Sequence, residues 1–230
     1  MSAGFFGKLP AKRDFVASGV SRPFLELWEP WLGAGLATSR QMLGESWPEA
    51  YNRMPIWRFW LGAQFAREAT LGALMACVDG VGRPFPLAIV TGEDDGLLPP
   101  PEIEANDAWF AAAEHALLSA LAPETSFEAF AAAVAALPAP AAQPRIEEIS
   151  GVEQLSEGLV LVRGAAAEAA LAFRAARRFG HRSAFAGQTF WWTVGGEGFE
   201  ALALACVGMP PPAVFTDMLT GAFGRAGGDG

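Results

Sequence analysis

Ready-made chemistry is scarce in this 230-residue sequence, which holds two cysteines and two histidines. His115 and His181 lie far apart, and no H-x-x-x-H or C-x-x-C spacing gathers metal ligands, so the common zinc motifs are excluded. No G-x-S-x-G turn presents a nucleophilic serine. Gly80-Val81-Gly82 lacks the third glycine and the following helix of a dinucleotide loop. Gly7-Lys8 runs into leucine and proline, which is not a phosphate-binding loop. Carboxylate pairs such as Asp94-Asp95 and Glu147-Glu148 sit in acidic, polar sequence that gives no reason for a raised pKa. The expectation is a protein that is not an enzyme and carries neither cofactor nor metal; a hydrolase would need a triad assembled in space from distant residues.

Long hydrophobic runs are missing too. No apolar stretch reaches the roughly 20 residues that span a bilayer. The start, Met1 to Pro10, has no charged segment followed by a long apolar one, as a secretory signal would. A cytoplasmic chain with no membrane contact is expected. Cys77 and Cys206 both lie in apolar runs and read as buried, reduced thiols.

Hydrophobic residues make up 52% and charged residues 18%, a composition that packs a core. The length suits one domain over 1–230. A candidate subdivision lies at the acidic and proline-rich stretch 91–101, and a flexible glycine-rich tail at 221–230. The net charge of -9 is uneven. Met1 to Val90 holds nine Lys/Arg against seven Asp/Glu, whereas Thr91 to Glu168 holds two against fourteen. An acidic middle argues against nucleic acid, which calls for a basic face. It suits a solvated helix surface or a basic protein partner.

The chain turns on Met75-Ala-Cys-Val-Asp79-Gly80-Val-Gly82-Arg83-Pro84-Phe85-Pro86-Leu87. Apolar runs on either side read as buried strands, Thr70–Val78 and Leu87–Val90. Asp79, Gly80 and Gly82 make a turn, and Pro84 and Pro86 keep Arg83 and Phe85 extended. Asp79 and Arg83 are the only charges between Glu68 and Glu93. They either pair across the corner or face a groove. Lys8, Lys12, Arg13 and Asp14 form a charged loop near it in pattern, flanked by Phe6 and Phe15.

Further strands are expected at Ile56–Leu61, Leu159–Val162, Thr189–Val194 and Ala201–Val207. Gly195 to Gly198 reads as a hairpin-like turn between the last two. Helices are expected from the Ser21 N-cap to Gly44, interrupted or kinked at Pro30. Others run over Pro48–Tyr51, from Asn106 or Asp107 to about Leu121, and over Phe127–Leu137 behind Ser126. Two more are Ala165–Phe179, with Arg177, Arg178 and His181 at its end, and Val214–Leu219. Pro138 to Pro144 reads as a semi-rigid linker. Adjacent Trp191 and Trp192 should point to opposite faces of their strand.

Three passages together resemble the TagF/ImpM family of type VI secretion-associated proteins: Gly4 to Pro10 with Asp14-Phe15-Val16; Pro55 to Phe59; and Val78 to Leu87. The late passage Phe190-Trp191-Trp192, with Gly208-Met209-Pro210 and Phe215, is similar as well. Members commonly carry Gly-Asp-Phe where this chain has Arg13-Asp14-Phe15, and a larger polar residue in place of Gly80. The resemblance implies an accessory, post-translational negative regulator of a bacterial type VI secretion system. It implies binding to a forkhead-associated scaffold protein and action beside a protein phosphatase. It also implies an α/β sandwich, in line with the reading of the elements: three layers, a mixed and largely antiparallel sheet with helices on both faces. The site residues singled out, as structural braces or partner contacts, are Lys8, Arg13, Asp14, Asp79 and Arg83. The rival reading is a small-molecule or nucleotide sensor with a pocket near Asp79/Arg83.

Overall fold

The computed structural model describes residues 3–93, 98–141, 152–156, 159–162 and 184–224. One antiparallel sheet organises them, in the order β2-β1-β5-β4-β3-β8-β9. The strands are β1 Gly4–Lys8, β2 Phe15–Ser18, β3 Trp57–Leu61, β4 Ala69–Met75, β5 Leu87–Glu93, β8 Gln188–Thr193 and β9 Leu202–Val207. Strands β6 Val152–Ser156 and β7 Leu159–Val162 pair separately. The helices are α1 Arg22–Leu43, α2 Trp47–Arg53, α3 Ala63–Ala66, α4 Asp107–Ser119, α5 Phe127–Ala135 and α6 Pro212–Thr220.

Alternation along the strands splits the core into two layers. Trp57, Phe59, Leu61, Leu74, Ala88, Val90 and Trp191 pack with residues of α1, α2 and α6. Trp60, Leu71, Ala73, Met75, Leu87 and Ile89 pack with α4 and α5. Trp191 lies in the first layer and Trp192 against the second, as a period of two requires. Helices thus cover both faces, and the three-layer α/β architecture expected from the sequence is present. Indole donors pin α6 to its layer. Trp57 Nε1 donates to Met218 O at 3.1 Å, and Trp31 Nε1 donates to Pro210 O at 2.8 Å.

Several local expectations need correction. Helix α1 is not split at Pro30 but is one helix from Arg22 to Leu43. Pro30 is exposed, as is Glu26, whose carbonyl it leaves without a helical donor, while buried Trp28, Trp31 and Leu32 hold the turns on either side. β4 ends at Met75, not Val78, because Cys77 and Val78 already belong to the corner. β1 and β2 form a strand pair that the glycine and charges of this stretch concealed. Asn106 does not cap α4 with its side chain; its Oδ1 accepts from Ala141 N at 2.6 Å and ties down the chain after α5. Cys77 is buried, but Cys206 is only partly so, because β9 is the rim of the sheet. Outside the described residues lie the expected helix Ala165–Phe179, His181, both carboxylate pairs, residues 142–144 of the linker and residues 225–230 of the tail.

Candidate functional site

The β4–β5 connection folds back on itself. Asp79 N donates to Arg83 O at 3.1 Å, and Phe85 N donates to Cys77 O at 3.0 Å. Gly82, at φ 81°, completes the turn. The side chain of Asp79 points inward and is fully buried. Its Oδ1 accepts from Val81 N at 3.0 Å and Arg83 N at 2.9 Å. Its Oδ2 accepts from Lys8 Nζ at 2.9 Å and Arg83 Nε at 2.7 Å. The turn chemistry of a short acid and the charge chemistry of an ion pair are met by one carboxylate. Burial works to raise the Asp79 pKa, but the Arg83 amide, the Lys8 ammonium, the Val81 amide and the Arg83 guanidinium outweigh it. The carboxyl is held well below the ordinary aspartate range. Such a group stays ionised and fully engaged; it braces the corner and is unsuited to taking a proton.

The N-terminal hairpin docks on this brace. Lys8 is the last residue of β1 and is buried, not part of an open loop. Arg83 also donates from its Nη2 to the carbonyl of Arg13, closing the loop between β1 and β2 over the corner. Gly80 N donates to Lys12 O at 2.7 Å. A Cβ on residue 80 would lie 2.9 Å from Pro10 O, so this close approach suits glycine. Gly7 is tighter still: φ is 143°, and a Cβ would meet Pro86 O at 2.1 Å.

Of the five residues singled out from sequence, Lys8, Asp79 and Arg83 form one network, and Arg13 joins through its backbone. Asp14 is exposed and stays outside it. Beneath the corner, Tyr51 OH donates to Cys77 O at 2.8 Å and accepts from Cys77 N at 3.1 Å. Burial raises the Tyr51 pKa and pushes the Cys77 thiol up to about 11.

Above the brace lies a mixed surface. Phe15 and Val81 are 52% and 56% exposed. Phe15 meets Phe85 edge-on at 4.7 Å and has the Lys8 ammonium 5.3 Å from its ring. Lys12 and Arg13 are exposed beside them, and Lys12 lies over the Phe127 ring of α5 at 4.9 Å. An open depression of about 430 Å³ runs along Lys12 to Ala17 and Phe127; neither Asp79 nor Arg83 lines it. Among the described residues, no three His, Cys, Asp or Glu side chains come together as a metal site.

A second charged cluster escaped the sequence reading. Arg58, on central strand β3, donates from Nε and Nη2 to the two oxygens of Glu114 at 2.6 and 3.1 Å. Its Nη1 reaches Asp107 Oδ1 at 3.4 Å, and the guanidinium lies 5.3 Å from the Phe110 ring. The available signal was a lone arginine inside a bulky strand, with two acids seven apart on one later helix.

A three-layer α/β sandwich, locked at one corner by a buried aspartate between two cations, is the class that fold and site define. The family model for the TagF N-terminal domain, type VI secretion system-associated, matches residues 4–137. The chain is also similar to the crystal structure of PA0076 from Pseudomonas aeruginosa PAO1, at 35% identity and TM-score 0.79, covering 100% of this chain and 99% of that one. No curated protein matches. The chain belongs to the TagF family and is a type VI secretion-associated protein.

Proposed function

We propose that this protein is an accessory regulator that holds a type VI secretion system inactive after translation. It acts by binding a forkhead-associated scaffold protein in the cytoplasm, in the same pathway as a protein phosphatase, and performs no catalysis of its own. Family membership supports the pathway. The observation that carries a binding role is the pairing of a rigid brace with an exposed surface. Asp79 uses both oxygens to fix the loop, so Phe15, Val81 and Arg13 are presented in one arrangement with little left to order on binding. Aromatic and arginine side chains on a fixed frame are the usual anchors of protein interfaces. Among the described residues, no helix is long and apolar enough to cross a membrane.

The test is capture of the purified forkhead-associated scaffold by variants Val81→Asp and Arg13→Glu, both at exposed positions. Loss of capture with unchanged melting is expected, together with raised secretion in cells carrying either variant. Capture equal to wild type would remove this surface from the interface. A protein that binds no scaffold at all would remove the regulatory reading.

A further inference from the structure

The two ends of the seven-stranded sheet are finished differently. At one end, β2 is four residues long, follows Arg13 and Asp14, and stops at Gly19 with φ 65°. Short, charge-flanked edges discourage added strands. At the other end, β9 has no such protection. Leu202–Val207 is six residues without a charge or a proline. Ala203, Ala205 and Val207 are exposed, Val207 at 90%. Its outer side faces no strand among the described residues. On the α4 face beside it, a mainly apolar depression of about 540 Å³ runs along Phe190, Trp192, Ala203 and Ala205, with Asp107 in its lining.

We propose that β9 pairs antiparallel with β9 of a second copy of this chain, across a two-fold axis, so that two sheets join edge to edge. The backbone selects a strand as occupant, because its outward N–H and C=O groups continue the β8–β9 ladder. The side chains along the rim suit an uncharged strand, since Leu202–Val207 offers no charge of its own to pair with, and the one carboxylate lining the depression, Asp107, is 78% exposed and already reaches Arg58. β9 itself meets both demands. Opposed residues of an antiparallel pair share a face. A two-fold axis through Leu204 or Ala205 therefore sets even positions against even and odd against odd. Leu204 and Cys206 then continue the α1 layer into the second copy, and Ala203 and Ala205 continue the α4 layer. The contact is isologous, closed and limited in length by Gly208, where φ is 89°.

Sedimentation equilibrium of the full chain over a concentration series tests this. Wild type is expected to reach the mass of two chains. The variant Ala203→Lys/Ala205→Lys is expected to keep the mass of one, with unchanged circular dichroism and melting. Should that double variant fold poorly, Val207→Lys alone makes the same test from the most exposed position. Hydrogen exchange at Leu202–Val207 should slow as wild-type concentration rises. A wild type that stays a single chain throughout overturns the proposal, whether its β9 amides exchange freely or are covered by another segment of the same chain. So does a dimer that survives the lysines, which would assemble elsewhere.

Discussion

Two charge clusters brace this sheet, and they are mirror images in sign. At the corner, one buried acid, Asp79, sits between Lys8 and Arg83. Under the centre, one nearly buried base, Arg58, sits between Glu114 and Asp107. The corner binds loop to loop: its acid also accepts two backbone amides, so removing it undoes a turn as well as a pair. The central cluster binds strand to helix, and its backbone is already held by the ladders of β3 with β4 and β8. The cost of stranding a buried charge is general; what differs is how much chain depends on that charge for its shape.

The largest effect should follow from Asp79→Ala. It strands buried Lys8 and frees both the Val81 and Arg83 amides, and its melting point should fall below that of every variant at the central cluster. Adding Lys8→Met should recover part of the loss, a non-additivity that a cycle of single and double variants measures. Equal melting of Asp79→Ala and wild type would erase the contrast. Next comes Glu114→Ala, which removes two charged hydrogen bonds from Arg58; such bonds contribute about 1.5–3 kcal/mol each. In a chain of this size each kcal/mol corresponds to roughly 2–4 °C of melting temperature.

Acid separates the clusters further. The Asp79 carboxyl is lowered in the folded state, so its contribution is complete above the ordinary aspartate value of about 3.9 and is lost as pH falls through the folded value. The stability gap between wild type and Asp79→Asn should therefore be constant near neutral pH and close progressively below about pH 3.9. A gap that widens on acidification would reverse the sign of that linkage. Thiol labelling gives a local reading of the same contrast. Cys77 lies under the corner with its thiol pushed up to about 11, so it should resist labelling in wild type and in Glu114→Ala, and react in Asp79→Asn. Denatured wild type, in which Cys77 is open to the reagent, serves as the reference for full labelling. The smallest effect belongs to Asp107→Asn. That carboxylate is 78% exposed, and an exposed pair contributes about 0–1 kcal/mol.

The sequence showed one of these clusters and hid the other for a physical reason. Asp79 and Arg83 stand alone between apolar runs, within a turn whose glycines and prolines mark it. Their pairing is local, four residues apart. Arg58 instead meets acids that lie 49 and 56 residues later, and no periodicity within β3 predicts which helix will lie beneath it. The same division runs through the fold. Strands β3, β4, β5, β8 and β9 were legible as apolar runs between turn residues, and Ser21 and Ser126 as caps. β1 and β2 were not, because glycine, lysine and short length mask their alternation, and because β1 takes its place only by pairing with β5. The exposure of Cys206 depends on β9 being last in the sheet, a property of topology that an apolar run cannot carry.

The strand order also sets a timetable. β2, β1, β5, β4 and β3 are adjacent in the sheet and are all encoded before residue 94, whereas the neighbour on the free side of β3 is not encoded until Gln188. On the ribosome, a nascent chain can therefore close five strands early and must then wait with Trp57-Arg58-Phe59-Trp60-Leu61 as an open aromatic edge. Synthesis at about 5–20 residues per second makes that wait several seconds long. Stalled or truncated products ending before Gln188 would carry this edge permanently, as an unpaired strand open to pairing with other chains.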